Sequence, residues 1–323
     1  MKWQLIFLDE ERLRPIWRFF VSIPATFLAV FLVLQVQGFI FGKQAFPLNE
    51  LWVTLLALPA LLAAYKLLTA VLDGRPLSTV GLAFRGRWLR ELGSGLIIGT
   101  VMILLVAALE RALGVAHFTL GGAPPHRLLL WAGGVFVGGF VAATNEELVF
   151  RGYPFQRLTE AVGPIVAVAL FSGMFGAAHL GNPHHTWVST LNTALAGVPL
   201  AIAYLRTRLL WLPIGIHFSW NVVQGFCLGL PVSGLQVPYT LLRADVGGSQ
   251  ILTGGNYGPE GGLLATVVIV LGACYLALSK RIYISDETRA LVLVPAPRPD
   301  FPGTILGLDT PSERNPTDPS NLS

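Results

Sequence analysis

Long apolar runs separated by short polar joints set the pattern of this chain. Eight runs approach the roughly 17–25 residues that a helix needs to cross a bilayer: 19–41, 51–71, 92–109, 128–145, 161–180, 187–205, 209–230 and 261–279. The second contains Lys66, and the third is short, stopping before Glu110 and Arg111. Lipid offers no partner to an unpaired backbone group, so such runs must be helices packed side by side. The pattern predicts an all-α fold, a polytopic transmembrane bundle of about eight spans. A single membrane domain over 19–280 is expected, with its motif-bearing core at 128–230. Residues 1–18 form a cytoplasmic N-terminal segment, and 281–323 a cytoplasmic tail. From Pro295 that tail is rich in Pro, Ser, Asp and Asn, and is expected to be largely disordered because it cannot bury enough apolar surface.

Between the second and third runs, DGRPLSTVGLAFRGRWLRE is a basic connector that suggests an amphipathic surface helix. The longest outer loop, 231–260, runs into TGGNYGPEGG, a glycine-dense turn region. No internal repeat stands out. A transporter would show matching halves with broken helices, and those marks are missing.

Composition agrees with the pattern. The chain is 53% apolar and 12% charged, against about 25% charged in soluble domains. A lipid bilayer is therefore the expected environment, and nucleic acid is not an expected partner. The net charge of +4 says less than its placement. With eight spans, 17 of the 22 basic residues fall on one side and four on the other. Basic residues accumulate in cytoplasmic segments, so both termini are expected to be cytoplasmic. The start, MKWQLIFLDEERLRP, has acids and no small-residue cleavage site, so the first span is expected to act as an uncleaved anchor. A multi-pass protein of the bacterial cytoplasmic membrane fits these features. Cys227 and Cys274 lie within spans and are expected to be packing residues.

The fourth run ends in NEELVFRG. Ionisable groups at membrane depth are costly and mark either an end or a site. Glu147 and Arg151 are four residues apart, with the acid toward the N-terminus, the favourable order for a helical ion pair. Glu146 points about 100° away and has no such partner. FSGMFGAAHLG places Phe175 four residues before His179, and GIHFSWN places His217 four before Asn221. Three helices thus each present a polar group that could face one cavity. A carboxylate, two imidazoles and an amide suit the activation of water and the stabilisation of an oxyanion. The plainer alternatives are a boundary ion pair and interhelical hydrogen bonds. Gly134 and Gly138 read as a close helix contact, and His184 and His185 as loop residues facing solvent.

EELVFRG, FGAAH and HFSWN fit E-E-x-x-x-R, F-x-x-x-H and H-x-x-x-N in that order. Together they resemble the CAAX protease and bacteriocin-processing family of intramembrane proteases, which includes the type II CAAX prenyl endopeptidases. GGNYGPEGG resembles a loop of bacterial members. The resemblance implies an intramembrane endopeptidase acting on a membrane-associated peptide or protein. It implies Glu146 as general base, His179 as holder of the water, and His217 and Asn221 as oxyanion donors. Glu147 and Arg151 would orient the site, and Phe175 would pack beside it. The family has been described both with and without metal. With no H-E-x-x-H present, no obligatory cofactor is expected, and zinc, if bound, would sit on Glu146, His179 and His217. The alternative is a catalytically silent immunity or scaffold protein that binds peptides.

A geometric difficulty follows from topology. His179 would lie about 27 Å along a helix starting at Ala161, whereas Glu146 closes the preceding span. The expected resolution is a fourth helix that continues past Arg151.

Overall fold

A computed structural model describes residues 6–9, 12–41 and 47–293. The tail from 294 onward, including the stretch read as disordered, lies outside the described residues. The apolar runs are helices in the predicted order. They are α1 (Pro15–Phe41), α2 (Pro47–Leu68), α3 (Trp88–Ala112), α4 (Pro125–Arg151), α5 (Tyr153–Val162), α6 (Pro164–Ala178), α7 (Trp187–Thr207), α8 (Trp211–Val222), α9 (Gln250–Thr253), α10 (Leu263–Leu278) and α11 (Asp286–Leu293). The molecule is an all-α integral membrane protein. Among the described residues, five helical stretches are long and apolar enough to cross a bilayer, while α6 and α10 are apolar but shorter. The run 209–230 is α8 continued by a π-helical turn, Val223–Cys227.

Large apolar side chains on the outer faces, such as Phe27, Phe31, Ile97, Ile165 and Leu278, are exposed where lipid would lie. Inside, Leu61, Tyr65, Leu148, Phe155, Phe171 and Tyr204 belong to one buried core. Helices α3 and α8 approach most closely through glycine. A methyl on Gly99 would come within 2.2 Å of the Ile216 carbonyl oxygen, and one on Gly95 within 2.4 Å of that of Leu212. Helices α6 and α7 meet in the same way at Gly176, beside the Thr190 carbonyl. Small residues at such contacts let backbones pack without a hydrophobic driving force. The GxxxG of α4 is not one of these contacts: Gly134 faces open space, and Gly138 meets only the Leu51 side chain.

The connector differs from expectation. It holds no separate surface helix: a π turn (Thr69–Asp73) ends at its first residue, a 3-10 turn (Leu77–Val80) follows, and its last residues open α3 at Trp88. Pro76 and the glycines at 74, 81 and 86, all with positive φ, leave no room for a continuous helix. Helix α4 also does not run on without a break. It stops at Arg151, and helical structure resumes at Tyr153. At Gly152 a Cβ would lie 2.1 Å from the Leu148 carbonyl oxygen, so only glycine fits the bend. Helix α5 is then held by charges: Asp73 is bonded to Arg18 at 2.8 Å and Arg157 at 3.3 Å, and Arg157 to Glu160 at 2.7 Å.

Two short antiparallel pairs complete the fold. Strands β1 (Leu8–Asp9) and β2 (Arg12–Leu13) form one. Strands β3 (Ala116–Leu120) and β4 (Leu242–Val246) form the other, in register from Ala116↔Val246 to Leu120↔Leu242. This second ribbon ties the loop after α3 to the loop after α8. Cys227 and Cys274 are both free thiols.

Candidate active site

Helix α4 is fixed sideways before it delivers its glutamates. The Asn145 amide donates to the Thr54 carbonyl at 2.7 Å, and the Tyr65 hydroxyl to that of Leu148 at 3.2 Å. Glu147 and Arg151 are then completely buried, and Arg151 Nη1 donates to Glu147 Oε1 at 3.2 Å. Arg151 Nη2 donates to the Gly197 carbonyl at 3.0 Å, and its guanidinium lies 4.8 Å from the Phe175 ring centre. This is the ion pair that the four-residue spacing predicted.

Helix α8 brings His217 onto the same carboxylate. His217 Nδ1 lies 2.9 Å from Glu147 Oε1, and its Nε2 lies 3.8 Å from Glu146 Oε2. The imidazole thus sits between the two adjacent glutamates. Sequence reasoning missed the Glu147–His217 contact, because partners 70 residues apart leave no local spacing signal. The two glutamates differ in their partners. Glu147 Oε1 is shared by a guanidinium and an imidazole, whereas the nearest charged partner of Glu146 is His217 at 3.8 Å; Oε2 of each residue is buried with no hydrogen bond among the described residues.

His179 closes helix α6. Its Nδ1 lies 2.7 Å from the Phe175 carbonyl oxygen, so Nδ1 donates to that oxygen and Nε2 is left for the cavity. Phe175 packs among Phe150 (5.0 Å between ring centres), His179 (4.8 Å) and His217 (6.0 Å). Asn221 lies one turn beyond His217, just before the π-helical turn, a distortion that recurs at functional sites.

Glu146, His179, His217 and Asn221 all line one cavity of about 450 Å³. Phe175 lines it too, while Glu147 and Arg151 stand behind it. The depth difficulty is met partly by the shortness of α6, whose fifteen residues begin at Pro164 rather than Ala161. Met102, Leu200, Ile216 and Ile269 give the cavity apolar lining. Its lining also includes Asn182, Thr193, Ser233 and Glu260, which were not singled out in the sequence, although Glu260 lies within the noted GGNYGPEGG. Burial pushes the Glu260 carboxyl up, against the hydrogen bonds from backbone, Gln224 and Ser233 that pull it back. His184 and His185 are exposed loop residues. Among the described residues, no three His, Cys, Asp or Glu side chains are grouped so as to hold a metal ion.

Residues 126–223, which carry all three motifs, match the family model described as type II CAAX prenyl endopeptidase Rce1-like. The chain is also similar to the Bacillus subtilis (strain 168) protein named "Putative membrane peptidase YdiL", at 30% identity over 115 residues. That match covers 35% of this chain and 45% of the relative, so the chain spans less than half of the relative's length. No solved structure matches.

Proposed function

We infer that this chain, whose core over 126–223 is of the Rce1-like family of type II CAAX prenyl endopeptidases, is a membrane-embedded endopeptidase. The observation that carries the reading is the contrast between the glutamates. Glu147 pairs with Arg151 and His217 behind the cavity, while Glu146 lines the cavity together with two imidazoles and an amide.

The proposed reaction is hydrolysis of a peptide bond. Water sits between the Glu146 carboxylate and His179 Nε2, and Glu146 takes its proton as the oxygen attacks the carbonyl carbon. The tetrahedral oxyanion accepts from Asn221 Nδ2–H and His217 Nε2–H. A doubly protonated His217 donates Nδ1–H to Glu147 and still offers Nε2–H to the cavity. Glu147 and Arg151 thereby orient the oxyanion donor. Glu146 then returns the proton to the leaving nitrogen as the C–N bond breaks. No step needs a metal.

The substrate is proposed to be a membrane-associated peptide or protein, its apolar or lipidated portion lying along Met102, Leu200, Ile216 and Ile269. The silent-scaffold alternative gains no support, because no motif position is substituted. The test compares newly formed peptide termini in membranes carrying wild-type protein or Glu146→Gln. Termini present with wild type and missing with the variant are expected. Identical sets of termini would contradict the reading.

A further inference from the structure

The cavity holds a second carboxylate, Glu260, whose bonding differs from that of Glu146. Glu260 Oε1 accepts from the Ser233 backbone N–H at 2.6 Å and from Ser233 Oγ–H at 3.1 Å. Its Oε2 accepts from Gln224 Nε2–H. A carboxylate that accepts three hydrogen bonds is fixed in place, and it holds what donates to it.

What it holds is a tight turn. Val232 and Leu235 exchange backbone bonds at 2.8 and 2.9 Å, with Ser233 and Gly234 between them at φ +47° and +85°. Two left-handed residues at the centre of a turn suit asparagine or glycine, and a serine persists there only where its surroundings hold it. Here they do on every side. The Ser233 N–H and hydroxyl go to Glu260, and its carbonyl accepts from Asn182 Nδ2–H at 3.0 Å. The Gly234 N–H goes to the Tyr257 carbonyl at 2.7 Å. Asn182 in turn donates its backbone N–H to the His179 carbonyl at 3.1 Å. Val232, Ser233 and Leu235 all face the cavity that contains Glu146.

We propose that Glu260 is a positioning residue that fixes the Val232–Leu235 turn as the cavity wall against which the substrate lies, and sets that wall relative to His179 through Ser233 and Asn182. The inference rests on the protease reading. Val232 and Leu235 then make the wall apolar, favouring apolar substrate residues beside the cleaved bond. The GGNYGPEGG loop acquires a role as the support of this wall.

The test uses full-length protein in vesicles and a quenched fluorescent peptide copying the strongest Glu146-dependent cleavage site found in membranes. Glu260→Gln places an amide where three donors converge. It is expected to raise KM about tenfold and to leave kcat within about threefold. Hydrogen exchange in a fragment spanning 230–236 should quicken in the same variant. An unchanged KM, or a fall in kcat alone, would overturn the assignment. If Glu260→Gln fails to accumulate, Asn182→Ala decides. Cutting the bond to the Ser233 carbonyl should raise KM about threefold, and no change would overturn the proposal. If wild-type membranes show no Glu146-dependent cleavage, the protease reading itself falls. If cleavage is present and KM is unmoved, only the role of Glu260 falls.

Discussion

Replacing Glu147 by alanine strands two groups, the guanidinium of Arg151 and the imidazole of His217, in a site where Glu147 and Arg151 are fully buried. Breaking such a pair costs roughly 3–5 kcal/mol. Glu147→Ala and Arg151→Ala are therefore expected to lower the melting temperature clearly, and Glu147→Ala to cost activity as well. Glu146→Ala leaves no hydrogen-bonded partner behind, so its melting temperature should stay close to wild type while cleavage is lost. Thermal unfolding in detergent alongside peptide cleavage checks both, and the reverse assignment of the two losses would contradict the account. At this scale the sequence was partly legible. A spacing of four residues revealed Glu147–Arg151 and left Glu146 unpartnered. It could not reveal that His217 bridges the two carboxylates, because that contact depends on how α8 packs against α4.

Among the helices, the placement of His217 depends on the glycine contact between α3 and α8. A methyl on Gly99 would meet the Ile216 carbonyl and Ser219 Oγ at 2.2 and 2.3 Å, both in the segment that carries His217. Gly99→Ala is expected to force the helices apart, at roughly 1–3 kcal/mol by analogy with overpacking, and to reduce cleavage. Gly134→Ala, with nothing within 4 Å, should change neither stability nor activity. Melting curves and cleavage rates of the two variants check the pair. From the sequence GxxxG invited attention to α4, whereas the contacts that matter were elsewhere, because a glycine says nothing about what faces it. The long apolar runs revealed the helices and their order. It missed the bend at Gly152 and the β3–β4 ribbon, since both depend on close approaches between backbones.

For the molecule as a whole, the basic residues favour both termini on the cytoplasmic side. Reporter fusions at Ser323 and within 245–258 should report opposite faces, and the same face for both would contradict the eight-span arrangement. Activity is expected to survive chelators, whereas zinc-dependent recovery after chelation would require a metal in the mechanism.

In the proposed reaction, water activated by Glu146 cuts a peptide bond inside the cavity. Purified protein in vesicles can be given the reporter peptide in water enriched with oxygen-18. Wild type should release a product whose new carboxyl carries the heavy oxygen, and Glu146→Gln should release none. Cleavage by Glu146→Gln at the wild-type rate, or a wild-type product without heavy oxygen, would contradict the account.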